Sequence, residues 1–82
     1  MEPFFDHEQL IELAWYKMPF GKHKGCFLSE LPEPYYVWFR RQGFPKGKLG
    51  RYMTTVYEMK VNGIEDILRD IRRKTVNDRP VF

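Results

Sequence analysis

Ile64, Ile67, Leu68 and Ile71 recur at the i, i+3, i+4, i+7 spacing of a helix with one buried face. Glu65 and Asp66 stand at the start of this helix and Arg72, Arg73 and Lys74 at its end, the order that a helix dipole favours. The stripe predicts a docked final helix, with Ile67 among its buried residues and Arg72 in solvent. Leu49, Tyr52, Met53, Val56 and Met59 form another stripe. It predicts a helix over about 49–62, closed by the Asn62-Gly63 pair. At the other end of the chain, Asp6 is suited to cap a helix whose first turn holds Glu8 and Gln9. Leu10, Leu13, Ala14 and Lys17 share one face of it, and Pro19 is expected to stop it.

The middle of the chain reads differently. Met18-Pro19-Phe20 and Cys26-Phe27-Leu28 are short apolar pieces on either side of Gly21-Lys22-His23-Lys24-Gly25, a pattern that predicts a small β-hairpin. Pro32 and Pro34 suit the start of a helix, where a missing N–H costs nothing. That helix covers Tyr35 to Gln42 and ends at Gly43, with Tyr35, Trp38 and Phe39 expected inside and Tyr36 at the margin. Phe44-Pro45-Lys46-Gly47 has the chemistry of a tight connector. The expected fold is therefore α+β: about four helices and one small hairpin around a Phe, Trp, Ile and Leu core. Residues 1–82 form a single domain, with a frayed tail at 75–82.

Composition limits the function classes. A chain of 82 residues that is 43% hydrophobic can build one core, with no room for a deep substrate cleft beside it. No apolar run reaches the roughly 20 residues that span a bilayer. The start, Met1 to Asp6, lacks the basic and apolar stretches of a signal peptide. A single cysteine, Cys26, suits a reducing compartment, so the expected location is the cytoplasm.

Charge changes the picture more. Residues 1–16 carry −4, residues 17–57 carry +6 and residues 58–82 carry +1, so a modest total of +3 conceals a basic middle. Such a local field favours phosphate-bearing or acidic partners. Two elements supply it. Gly21 and Gly25 let the chain turn while Lys22, His23 and Lys24 present donors to a phosphate. Arg40, Arg41, Lys46 and Lys48 lie among Phe44 and Tyr52, and cations interleaved with aromatics suit a groove that tracks a nucleic-acid backbone. The competing reading of each element is a solvated surface.

Catalytic chemistry is not visible. His7, His23 and Cys26 are too few and too scattered for a structural zinc, and Ser29 and Cys26 have no evident base and orienting acid. The expected catalytic set, metal set and cofactor are all none.

Met18 to Gly25, Leu28-Ser29-Glu30-Leu31-Pro32, Tyr36-Val37-Trp38-Phe39 and Gly43 to Gly47 together resemble a family of short bacterial proteins labelled quorum-sensing-regulated virulence factors. Tyr57 to Gly63 fits the same family, so the resemblance runs from about Trp15 to Leu68 and leaves Met1 to Ala14 outside. The label implies a regulatory association and no chemistry. Met18 to about Arg41 is also similar to the small domain that follows the nuclease domain in exodeoxyribonuclease X-like enzymes. That similarity implies a nucleic-acid-handling accessory unit, because the catalytic acids of those enzymes lie in the other domain. The resulting expectation is a non-enzymatic nucleic-acid-binding module, DNA or RNA. The alternative is a protein-interaction adaptor in regulation. No membrane partner is expected, and oligomeric state is left open.

Overall fold

The computed structural model describes residues 6–80, which form four helices: α1 (His7–Trp15), α2 (Glu33–Gln42), α3 (Lys48–Val61) and α4 (Asp66–Lys74). Single 3-10 turns lie at Leu28–Glu30 and Val76–Asp78. The acidic start before Asp6 and the last two residues of the tail lie outside the described residues.

Local chemistry sets the helix ends. The Asp6 carboxylate accepts from the Gln9 amide at 2.8 Å while the Gln9 side chain accepts from the Asp6 amide at 3.2 Å, a reciprocal cap on α1. Pro34 sits in the first turn of α2, and Gly43 leaves that helix at φ +93°. Asn62 caps α3, followed by Gly63 at φ +71°. Inside α3, Gly50 is buried against the connector: a Cβ there would lie 1.6 Å from the Pro45 carbonyl oxygen.

The expected hairpin does not form, and among the described residues there is no strand at all. α1 ends at Trp15, well before Pro19, and the chain then runs extended. Leu28 donates to the Tyr16 carbonyl at 3.0 Å and Met18 to the Cys26 carbonyl at 2.8 Å, around one isolated antiparallel bridge between Lys17 and Phe27. Pairing stops there for two reasons. Pro19 has no amide to donate, and Leu28 already enters its 3-10 turn. The fold is all-helical, and the glycine segment is a loop closed by a single bridge.

The 3-10 turn Leu28–Glu30 joins the helices. Leu28 and Ser29 are buried, so their polar groups need partners from within the protein. α2 sends the Tyr36 hydroxyl to the Leu28 carbonyl at 2.7 Å, and α3 sends Lys60 Nζ to the Ser29 carbonyl at 2.9 Å. From α4, Arg72 donates to the Ser29 hydroxyl and to the Ala14 carbonyl at the end of α1, both at 2.7 Å. Arg72 and Arg69 also hold the Glu30 carboxylate at 3.0 and 2.8 Å.

The core is Leu, Met and Tyr: Leu13, Met18, Leu28, Leu31, Tyr36, Tyr52, Met53, Val56 and Leu68, with Ala14. Among the described residues no Phe, Trp or Ile is fully buried. Trp15, Phe39, Phe44 and Ile71 pack around this core half-covered, because so small a domain has little interior far from its surface. Ile67 is 47% exposed, so α4 seats Leu68 and turns Ile67 outward. Arg72, expected in solvent, is largely covered instead.

Candidate nucleic-acid interface

The α2 register decides what the surface offers. Tyr36 is fully buried and Trp38 is 53% exposed, the reverse of the expected arrangement. The cause is the buried hydroxyl bond from Tyr36 to Leu28, which fixes the helix about its axis. Pro34, Val37, Trp38 and Arg41 then share an outward groove with Glu33.

Rings run in contact along this side. His23 of the loop meets Tyr35 edge-on with centroids 4.6 Å apart. Tyr35 stacks near Trp38 at 6.3 Å and meets Phe39 at 5.4 Å. Phe39 continues to Phe44 at 6.3 Å, and Phe44 to Tyr57 at 6.4 Å, with the Arg40 guanidinium 5.9 Å from the Tyr57 ring. Burial raises the Tyr35 hydroxyl above its ordinary ionisation range.

The glycine loop turns as its sequence suggests, with Gly21 at φ +81° and Gly25 at φ +87°. Its backbone is occupied with itself. The amides of Lys24, Gly25 and Cys26 donate to the carbonyls of Gly21, Met18 and His23 at 3.1, 2.8 and 3.0 Å. Those three amides therefore do not face a ligand. The loop would hold an anion through Lys22 and Lys24, both exposed, with His23 fixed against Tyr35.

The expected basic residues divide. Lys22, Lys24, Arg41 and Lys46 are exposed and make no ion pair among the described residues. Arg40 faces Tyr57 in a separate groove on the α3 side. Lys48 pairs with Glu12 of α1 and lies 5.9 Å from the Tyr52 ring, so its charge is already engaged. Trp38 and Tyr35 join the candidate set, and a signal for Trp38 existed. Pro34, Val37, Trp38 and Arg41 are themselves spaced i, i+3, i+4, i+7, an apolar stripe ending in a cation.

Other chemistry is sparse. The Ser29 hydroxyl is engaged by Arg72, and Cys26 is a free, exposed thiol. Among the described residues no group of three or more His, Cys, Asp or Glu side chains could hold a metal ion. None of the described helices is long and apolar enough to cross a membrane.

Residues 6–71, which carry nearly all of this architecture, match the family described as "Putative quorum-sensing-regulated virulence factor". The chain belongs to that family. The match starts at Asp6, so it takes in α1, which the resemblance by motif had left outside. Proteins titled "Uncharacterized protein YpeB" from Escherichia coli strain K12 and from Escherichia coli O157:H7 are each 45% identical over 69 residues. Those residues are 83% of this chain and 96% of either relative. None of these matches carries the second resemblance, to the exodeoxyribonuclease X-like small domain. No solved structure matches the chain.

Proposed function

We propose that this domain is a non-catalytic module that binds single-stranded nucleic acid. The observation that carries the reading is Trp38, 53% exposed beside Arg41, at the end of a ring series that leads back to the Lys22-His23-Lys24 loop. Exposed rings stack bases of any sequence, and cations beside them hold phosphates. Lys22, Lys24, Arg41 and Lys46 supply the charge; Arg40 contributes from the Tyr57 side, and Lys48 does not. A single strand fits better than a duplex, whose bases already stack on one another.

A second reading rests on a different observation. Val61, Ile64 and Ile67 are exposed aliphatic residues at successive three-residue intervals, which suits an adaptor that docks a protein partner.

One titration separates the two. A fluorescent oligonucleotide should bind the wild-type chain with a Kd on the order of 10 µM at physiological salt, the middle of the range for non-specific association. Trp38→Ala should weaken it about tenfold, the loss expected for one stacked base. Ile67→Ser should leave it unchanged. Equal affinities for wild type and Trp38→Ala would refute the stacking surface and leave the adaptor.

A further inference from the structure

Where α1 gives way to the extended stretch, the molecule has a second concavity of about 380 Å³, away from the α2 groove. Its walls are apolar: Trp15, Phe27, Pro19 and Pro80. Its charged members are Lys17 and Arg79, and among the described residues no carboxylate lines it.

The aromatic corner is held firmly. The Trp15 indole N–H donates to the Thr75 hydroxyl at 2.9 Å, and that hydroxyl donates to the Ile71 carbonyl at 2.6 Å. Phe27 meets Trp15 edge-on, with centroids 5.8 Å apart at 77°. The Arg72 guanidinium lies 4.2 Å from the Phe27 centroid while its own donors go to Ala14, Ser29 and Glu30. A ligand would therefore meet two fixed rings, while Arg72, which does not line the cleft, already commits three of its five N–H donors elsewhere.

Lys17 and Arg79 are in a different situation. Lys17 Nζ is 5.4 Å from the Phe27 centroid and Arg79 Cζ is 5.4 Å from the Trp15 centroid. Neither makes an ion pair among the described residues, and both are exposed. Ring faces hold such cations weakly, and an anion that also covers the rings gains both contacts.

From this arrangement we infer that the cleft between Trp15, Phe27 and Pro80 is a binding site for a small aromatic monocarboxylate. The planar ring packs against Trp15 and Phe27, and the carboxylate lies between Lys17 and Arg79. The volume is within the range of small-molecule sites, and mostly apolar walls with a few convergent polar groups are their usual make-up. Charge complementarity selects the anion: a cationic ligand would meet two like charges and no acid among the described residues. The inference does not depend on the nucleic-acid reading, since it shares no residue with the α2 groove.

Calorimetric titration of the whole chain with naphthoate, and separately with the neutral naphthalenemethanol, tests it. The acid should bind about tenfold more tightly than the alcohol, the difference one charge-assisted contact makes. Lys17→Ala and Arg79→Ala should each weaken the acid several-fold, leave the alcohol unchanged and preserve the helical circular dichroism spectrum. Trp38→Ala should bind naphthoate like wild type, which separates this site from the oligonucleotide surface. Equal affinity for acid and alcohol would overturn the inference. So would acid binding that survives both substitutions, or no saturable binding at all.

Discussion

Removing the Arg72 side chain would take a donor from the Ala14 carbonyl and from the Ser29 hydroxyl, and would uncover one face of Phe27. Arg72→Ala should therefore cost about 2 kcal/mol or more in urea denaturation, because buried polar groups would lose partners. A loss within about 0.5 kcal/mol, typical of a solvated surface arginine, would contradict this account. Its neighbour Glu30 adds a pH dependence. The hydrogen bond from Arg69 is the main cause that holds the Glu30 carboxyl below its ordinary 4.5, with added attraction from Arg69 and Arg72. The unfolded chain protonates this acid first as pH falls. Its contribution is complete above the unfolded value and is lost as pH drops through the lower folded value. The urea midpoint should fall below about pH 4.5, and Glu30→Gln should flatten that part of the profile. An identical acid profile in the variant would remove Glu30 from the explanation. None of these contacts is legible from periodicity, because Arg72 meets Ser29 and Ala14 only through the tertiary fold.

At the scale of elements, helix existence was legible and helix orientation was not. Asp6 with Gln9, Pro34, Gly43 and Asn62-Gly63 mark ends by local chemistry, and the helices begin or stop beside them. Four aromatic residues at 35, 36, 38 and 39 satisfy any face of α2, so pattern alone could not separate Tyr36 from Trp38. Ile67 fails differently: its stripe is unambiguous, but α4 begins only at Asp66 and seats Leu68 and Ile71 while Ile64 and Ile67 stay exposed. Leu68→Ala should cost about 2–5 kcal/mol and Ile67→Ala under about 1, since Leu68 is fully buried and Ile67 half-exposed. Comparable losses at the two sites would mean that α4 is docked in another register. Gly50 gives a prediction opposite to helix propensity, which favours Ala over Gly by about 1 kcal/mol. With the Pro45 carbonyl oxygen 1.6 Å from any added Cβ, Gly50→Ala must displace the 44–47 connector. It should destabilise by about 2 kcal/mol or more, as overpacking does. A thermal midpoint at or above wild type would show that the connector yields freely.

On the scale of the whole molecule, the uneven charge was legible and its fate was not. Lys22, Lys24, Arg41 and Lys46 make no ion pair among the described residues, although Glu33 shares the Arg41 groove, while Glu12 on α1 holds Lys48. That Gly21 and Gly25 turn the chain was legible, and both do so at positive φ, but the loop's own hydrogen bonds, and so the direction of its amides, were not. The surface proposed for nucleic acid is Trp38 with Arg41 and the ring series back to the Lys22-His23-Lys24 loop, and salt dependence is the most direct measure of it. Binding of a single-stranded oligonucleotide should be followed from low to moderate salt for wild type and for the double variant Lys22→Ala, Lys24→Ala. Four phosphate contacts predict a log–log slope of about −3, at roughly −0.7 per contact on a single strand. The double variant should lose one to two units of that slope, about the share of two contacts, while keeping its fold. A wild-type chain that fails to bind at about 50 mM salt, or a slope unchanged by the double substitution, would contradict it.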